Sequence, residues 1–418
     1  MLGWELPPHN SGGLGVACLN LSKALARDGV QIDFVVPYTA EHEDIKFMNV
    51  LSATKLDPLH RYGMGAYDAG SIDRPMVGGT GVNGDAGASG ENGAGANGSI
   101  SIREIQHDYC EFVEKYLMEY KPDVVHAHDW LTFEAGVLAK KNFGIPLVAH
   151  VHATEFDRSG STHGNPLVEA IEKEGLMLAD KIIAVSKATK DIIIEKYHIP
   201  SEKIDVVYNS LDEGFLKSAY RYDSDDYKYL EAMKSLGYTI VSTVGRFTIQ
   251  KGLMIFLKAA KKALEKNPKL LFVFAGDGEQ KAELISKSAE YGISKNVIFT
   301  GFVRGKQLRD IYQISDIFVM SSISEPFGLT ALEAAHHQDV LILTKQSGVS
   351  EVIRSAMEYD FWDEDKLADE IVAISKSDAL KNTLKDGISK EYRKISWDDV
   401  AKKIESVYNK VEKHKEFC

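Results

Sequence analysis

The feature that most constrains this chain is an alternation that runs, pauses and starts again. Residues 31–37 (QIDFVVP), 123–127 (DVVHA), 146–150 (PLVAH) and 181–185 (KIIAV) are short apolar runs of buried-strand type. Between them lie helical patterns, such as 16–27 and 109–120. After about residue 236 the alternation begins afresh. Strand-like runs fall at 238–244 (YTIVSTV), 270–275 (LLFVFA), 297–300, 317–320 and 340–343 (VLIL), and helical patterns at 253–265, 282–291, 305–314 and 330–336. Near-continuous apolar strands alternating with helices predict parallel, doubly wound sheets covered on both faces. Two rounds predict an α/β chain of two similar domains: residues 1–208, a connection at 209–236 rich in Tyr and Asp, a second domain at 237–393, and a terminal segment at 394–418. Ligands of such sheets sit beyond the carboxyl ends of the strands. Two sheets facing each other would enclose a deep interdomain cleft.

Composition narrows the function classes. A length of 418 residues suits two or three domains. A net charge of -12 disfavours nucleic acid as a partner and broad adhesion to anionic lipid. Cys18, Cys110 and Cys418 are far apart and show no metal-ligand or disulfide spacing; a reducing cytoplasm is the expected location. No run reaches the roughly 18 apolar residues of a membrane span, and the opening lacks the layout of a secretory signal. Residues 77–99 are dominated by Gly, Asn and Ala, so they are expected to form a flexible surface loop, either a tolerated insertion or a lid. Asn97 fits a glycosylation sequon that means little without a secretory signal. Residues 397–413 read as an amphipathic helix with Val400, Ile404, Val407, Tyr408 and Val411 on one face, able to pack on either domain.

Several motifs sit at expected strand ends. Ser324-Glu325-Pro326-Phe327-Gly328-Leu329-Thr330-Ala331-Leu332-Glu333 runs from a polar turn into a helix start, with carboxylates at Glu325 and Glu333 able to face one cleft. Pro326 suits a first helical turn, and Gly328 permits close approach of a ligand. The N–H groups of such a start hold phosphate; the carboxylates would take sugar and ribose hydroxyls. The competing reading is a helix-cap acid and a solvated face. Gly245-Arg246 with Lys251-Gly252 places a guanidinium and an ammonium where a diphosphate would lie, or else marks a solvated loop. Ser11-Gly12-Gly13-Leu14-Gly15 is an anion-approaching loop or simply a tight turn; its spacing is not that of a dinucleotide fingerprint. His126 and His128, and His150 and His152, each share one strand face, but no third metal ligand is evident, so no metal is expected. His126 reads as a satisfied half-buried group and His152 as a donor to a sugar hydroxyl. His128, Asp129, Asp157 and Arg158 are candidates for the acceptor side, with a local Asp157–Arg158 ion pair equally open. Gly276-Asp277-Gly278 is a turn or a nucleotide contact, and Ser350-Glu351 a cap or a contact.

Taken together, these motifs resemble the retaining glycosyltransferases of the GT-B fold, in the glycogen- and starch-synthase-like branch of the large group that includes sucrose-phosphate synthase. Nearly the whole chain takes part. Trp4-Glu5-Leu6-Pro7-Pro8 with Ser11-Gly12-Gly13-Leu14-Gly15 is similar to that family's opening, and His126-Ala127-His128-Asp129-Trp130 to its second landmark. Gly245-Arg246, Lys251-Gly252 and Glu325-Pro326-Phe327-Gly328-Leu329 with Glu333 resemble its most specific signature, extended by residues 345–351 and 360–363. The resemblance implies that Gly12 and Gly13 lie against the donor diphosphate and that His152 contacts the donor sugar. It further implies that Arg246 and Lys251 bind the diphosphate, Glu325 meets the sugar hydroxyls and Glu333 the ribose. Phe327, Gly328, Leu329 and Thr330 complete the donor site. The family retains the anomeric configuration, needs no bound metal, and has no settled enzymic nucleophile; Glu325 would stabilise positive charge developing on the sugar.

There are departures from the family pattern. Asn10-Ser11-Gly12-Gly13 stands where the synthases carry Lys-Thr-Gly-Gly, and the opening strand is shorter than usual. Gln338-Asp339-Val340-Leu341 replaces a Gly-x-Pro-Val turn, and Tyr208-Asn209-Ser210-Leu211-Asp212 a Pro-Asn-Gly-Val-Asp segment. The expected activity is transfer of a hexose, glucose first, from a UDP- or ADP-sugar to an α-glucan or other glycan acceptor, with no further cofactor. Other glycans, glycolipids and sucrose- or trehalose-type disaccharides are alternative products. Sugar-nucleotide epimerisation or hydrolysis, and a non-catalytic glycan-binding role, are the rivals from other classes.

Overall fold

The computed structural model describes residues 1–8, 12–39, 42–55, 101–160, 164–211 and 227–415. Residues 77–99, Asn10, Ser11 and Asp212, all weighed above, lie outside the described residues.

The N-terminal sheet is built from β1 (Asp33–Val36), β2 (Asn49–Ser52), β3 (Val125–His128), β4 (Leu147–Val151), β5 (Lys181–Ala184) and β6 (Ile204–Val206). β1 pairs with β2, and β3 to β6 pair in sequence order, all in parallel. The first residues join the two groups. Leu2 bridges both Val35 and Ala127, donating to the His126 carbonyl at 2.8 Å and accepting from His128 N–H at 3.0 Å. A short opening segment thus occupies the middle of the sheet, and the strand order reverses beside it. The expected strands end within two residues of those seen; β2 and β6 were not anticipated, being short and only partly buried.

Helices α1 (Gly13–Arg27), α2 (Ile102–Glu119), α3 (Trp130–Phe143), α4 (Glu155–Ser159), α5 (Pro166–Leu178) and α6 (Lys187–Tyr197) connect these strands. Their starts are locally encoded. Ser101 and Glu104 form a reciprocal capping box at α2, Thr154 and Asp157 another at α4, and Ser186 caps α6.

After α7 (Lys228–Ser235) comes the second sheet: β7 (Thr239–Val244), β8 (Leu270–Ala275), β9 (Val297–Gly301), β10 (Ile317–Met320), β11 (Val340–Thr344) and β12 (Met357–Tyr359). Its order is β12-β11-β10-β7-β8-β9, entirely parallel. Five of the six residues of β7, and all of β8, β10 and β11, are buried, as expected for strands covered on both faces. The order reverses between β7 and β10, which is the crevice where such sheets take ligands. Helices α8 (Leu253–Lys266), α9 (Lys281–Glu290), α10 (Gly305–Ile314), α11 (Leu329–His336), α12 (Glu364–Lys376) and α13 (Asp378–Tyr392) flank it.

The terminal helix α14 (Trp397–Lys415) returns to the first domain. Its stripe of Trp397, Val400, Ala401, Ile404, Val407, Tyr408 and Val411 joins Leu14, Ala17, Cys18 and Leu21 of α1 in one core. Trp397 Nε1 donates to the Leu211 carbonyl at 3.0 Å, and the Tyr408 hydroxyl meets His126 Nδ1 at 2.7 Å. The two sheets face each other across a deep cleft, the arrangement of two doubly wound Rossmann-like domains.

Candidate active site

Two loops leave the crevice of the second sheet side by side. One follows β7 and runs from Gly245 to a short 3₁₀ turn, Ile249–Lys251. The other follows β10 from Ser321 to Gly328 and opens α11. Gly252 makes their contact possible. Its φ is +61°, and a Cβ there would lie 2.0 Å from the Ser321 carbonyl oxygen. The loops are stitched by Ser321 Oγ donating to the Lys251 carbonyl at 2.8 Å, Ile323 N–H to the Gln250 carbonyl at 2.8 Å, and Gln250 Nε2 to the Ser324 carbonyl at 3.0 Å.

The result is a charge pair at the cleft floor. Lys251 Nζ donates to Glu325 Oε2 at 2.6 Å, and Ser322 Oγ donates to the same oxygen at 2.9 Å. The Lys251 side chain is 28% exposed and that of Glu325 13%, so both are enclosed but reachable from the cleft. A small cavity beside them is lined by Thr243, Val244, Met320, Ser322 and Thr330. Arg246, near the start of the loop that follows β7, is exposed. Gly328, with φ +111°, turns the chain into α11, whose start carries no side-chain cap. Leu329 and Thr330 sit partly exposed on that first turn. Glu333 lies one turn further on and accepts from the Tyr312 hydroxyl at 2.7 Å. Phe327 differs from the others: its ring is buried in the core beside Tyr208, with centroids 6.2 Å apart, so only its backbone is near the site.

The first domain presents its own loop to this turn. Gly12 and Gly13 are exposed at the start of α1, and a Cβ on Gly13 would lie 3.9 Å from Leu329 Cδ1. A partly exposed His152 stands just beyond β4, and the protein around its ring holds its pKa down at about 3. It is therefore a neutral hydrogen-bonding group at physiological pH. The ring contacts His128 Nδ1 through Nε2 at 3.0 Å.

The four groups expected on the acceptor side are placed differently: each is buried and turned toward protein partners. His128 is fully enclosed. Asp129, held at φ +59°, accepts from His152 N–H at 2.6 Å and Ala153 N–H at 3.4 Å. Burial raises its carboxyl to about 7, against the lowering pull of Arg158 and these N–H groups. Asp157 Oδ2 accepts from Thr154 N–H and hydroxyl at 2.8 and 2.7 Å. Its Oδ1 accepts from Ser324 Oγ of the other domain at 2.5 Å. Arg158 donates to the Ala153 carbonyl at 2.7 Å and pairs with Glu155 and Glu172 rather than with Asp157. These residues shape the turn that carries His152.

Sequence reasoning missed several residues. Glu172 is buried, accepts from Tyr197 and from Glu155 N–H, and anchors Arg158. Val168, Ile171 and Gly175 are its neighbours at helical spacing, so its place on an apolar face was a readable signal. Glu351, read from the sequence as a cap or a contact, was not missed, but the helix it caps lies across the cleft: its two oxygens accept from Lys187 N–H and Ala188 N–H at the start of α6, each at 2.9 Å. The fold also gathers histidines and a cysteine, distant in sequence, closely enough that they could hold a metal ion. One donor atom from each of His126, His128 and His150 lie within 4.8 Å of one another, as do those of Cys18, His128 and His152.

Two facing Rossmann-like domains with this floor between them define the GT-B architecture of glycosyltransferases. Residues 231–393 match the family described as Glycosyl transferases group 1, and residues 104–215 match Glycosyltransferase Family 4. An uncharacterized glycosyltransferase of Methanocaldococcus jannaschii is 27% identical across 98% of this chain and 97% of its own length. A glycogen synthase of Mycobacterium tuberculosis is 26% identical across 84% of this chain and 79% of its own. An Anabaena protein solved in complex with UDP-glucose superposes with a TM-score of 0.67 over 98% of both chains at 17% identity. The chain is thus similar to glycosyltransferases in each of its two domains and along nearly its whole length. No helix among the described residues is long and apolar enough to cross a membrane.

Proposed function

We propose that the protein is a retaining, metal-independent hexosyltransferase that moves glucose from a UDP- or ADP-sugar to an α-glucan or related glycan. The observation that carries this reading is the Lys251–Glu325 pair at the sheet's crevice, faced across the cleft by the Gly12–Gly13 loop. A diphosphate would lie between Arg246, Lys251 and the uncapped start of α11, where guanidinium, ammonium and helix dipole act in the same direction. By drawing Lys251 toward phosphate, it would free the Glu325 carboxylate for the sugar hydroxyls. There the carboxylate can stabilise charge developing at the anomeric carbon as the nucleoside diphosphate departs. His152, neutral and partly exposed, is suited to a sugar hydroxyl, and Glu333 to the ribose. The glycogen synthase relative and the UDP-glucose complex of the structural neighbour favour glucose as the first donor sugar to test.

The decisive assay offers UDP-glucose, ADP-glucose, UDP-N-acetylglucosamine and GDP-mannose, each with and without glycogen, in the presence of EDTA. Acceptor-dependent diphosphate release is expected. Glu325→Gln should lower turnover by about 10²–10³-fold, the effect of removing a transition-state electrostatic partner, while the thermal midpoint stays near wild type. Wild-type turnover in Glu325→Gln would refute the site. Acceptor-independent conversion of the donor would favour epimerisation or hydrolysis instead.

A further inference from the structure

We propose that Cys18, His128 and His152 form a binding site for a thiophilic divalent cation such as Zn²⁺, and that filling it inhibits transfer. Cys18 projects from α1 and is free and buried; His128 ends β3; His152 follows β4. The Cys18 thiol sulfur and one ring nitrogen from each histidine lie within 4.8 Å of one another. A further observation points to a ligand. His128 is fully enclosed, its Nδ1 is taken by His152, and its Nε2 has no hydrogen-bond partner among the described residues. Buried polar atoms are nearly always satisfied, so an enclosed imidazole nitrogen without a partner asks for an ion or an ordered water.

One thiolate and two imidazoles suit Zn²⁺, Co²⁺ and Cd²⁺ in tetrahedral geometry. The edges of such a site are roughly 3.5 Å, given metal–sulfur and metal–nitrogen bonds of about 2.3 and 2.0 Å. As the sulfur–metal bond forms, the thiol proton leaves to solvent; the imidazoles bind through lone pairs. Because His152 is partly exposed, it supplies the entry path. The histidine triad of His126, His128 and His150 is less suited. It has no anionic ligand, and His126 is engaged by Tyr408 through Nδ1 and by His150 through Nε2.

The inhibitory part rests on the reading of His152 as a donor-sugar contact; the binding part does not. Full-length protein would be titrated with Co²⁺. A sulfur-to-cobalt charge-transfer band, with ligand-field bands of tetrahedral intensity, is expected, and Zn²⁺ should displace both. Cys18→Ser should lose the charge-transfer band and bind at least about 100-fold more weakly, the upper end of what losing even an outer-shell partner costs. Cys18→Ala, read alongside circular dichroism, guards against a folding defect in the serine variant. In the transfer assay, micromolar Zn²⁺ should inhibit wild type reversibly with EDTA, while Cys18→Ser keeps wild-type turnover and resists the metal. No cobalt band in wild type, or a band that persists in both cysteine variants, overturns the site. A cobalt site without zinc inhibition overturns only the inhibitory role, and with it the place of His152 in the donor site.

Discussion

Arg158→Met is the perturbation whose outcome this structure determines most sharply. The guanidinium lies between Glu155 and Glu172, with side-chain exposures of 3, 5 and 3% respectively. Burial alone would lower the Arg158 pKa, yet Glu172, Asp129 and Glu155 together raise it. Burial raises the pKa of Glu172, against the lowering effect of Arg158, Tyr197 and Glu155 N–H. Methionine fills much of the same volume without the charge, so two carboxylates stay buried with no cation beside them. Breaking a buried pair in this way costs about 3–5 kcal/mol. At about 2–4 °C per kcal/mol for a domain of this size, the thermal midpoint of the first domain should fall by roughly 6–20 °C at pH 8. The pH dependence has a definite sign. In the variant, Glu172 loses its main lowering partner, so its folded pKa climbs further above the unfolded value of about 4.3. The folded state then binds more protons than the unfolded one, and stability falls as pH rises through the folded pKa. The deficit should therefore be smaller at pH 5 than at pH 8 in differential scanning calorimetry. Adding Glu155→Gln and Glu172→Gln to Arg158→Met should restore much of the loss, since removing these three charges together costs far less than stranding the two carboxylates. A midpoint within 2 °C of wild type at pH 8, or a deficit that grows as pH falls, would refute the reasoning.

Two further predictions concern the second domain and the cleft. Asp339 is buried, and neither carboxylate oxygen has a hydrogen-bond partner among the described residues; burial raises its pKa well above the usual range. Asp339→Ala should stabilise the protein by about 1–3 kcal/mol, the cost of an unsatisfied buried group. Because the folded pKa is the raised one, the gain should increase as pH rises above about 4, which thermal melts from pH 4 to 8 would show. Glu351→Ala removes the carboxylate that caps α6 from across the cleft, worth about 1 kcal/mol at a partly exposed helix start. Closure should weaken roughly fivefold, seen as a larger radius in small-angle scattering and a higher donor KM; an unchanged radius and KM would count against an interdomain role.

The legible and illegible parts of this molecule divide along a physical line. Strands β8 and β10 were read to the residue because a strand buried on both faces must be apolar throughout. Short elements such as β12, half-buried at the sheet edge, carry no such run. The residues around Lys251 and Glu325 were visible because a helix start, a glycine turn and a charge each leave a local mark, and the pairing of adjacent strands then brings two local marks together. What eluded sequence reasoning were groups whose meaning depends on a third element. Phe327 sits inside a site motif yet turns its ring into the core, because Tyr208 and α11 close over it. Arg158 was weighed against Asp157, its chain neighbour, but its partner Glu172 lies fourteen residues away on α5. Cys18 falls beside two histidines only because α1 packs over the ends of β3 and β4, with α14 holding it there. Gln338 is the converse case. In the family pattern this sequence resembles, a glycine opens this turn; here a glutamine takes φ +66°, and the next residue carries a buried carboxyl with no hydrogen-bond partner among the described residues. Both departures are destabilising on local grounds. They persist because Gln338 N–H and Asp339 N–H still close α11 onto the Ala335 and Ala334 carbonyls, and the buried strand β11 follows immediately. The backbone hydrogen bonds of the turn are therefore its required part, and the side chains are where this chain differs from the pattern it resembles at tolerable cost.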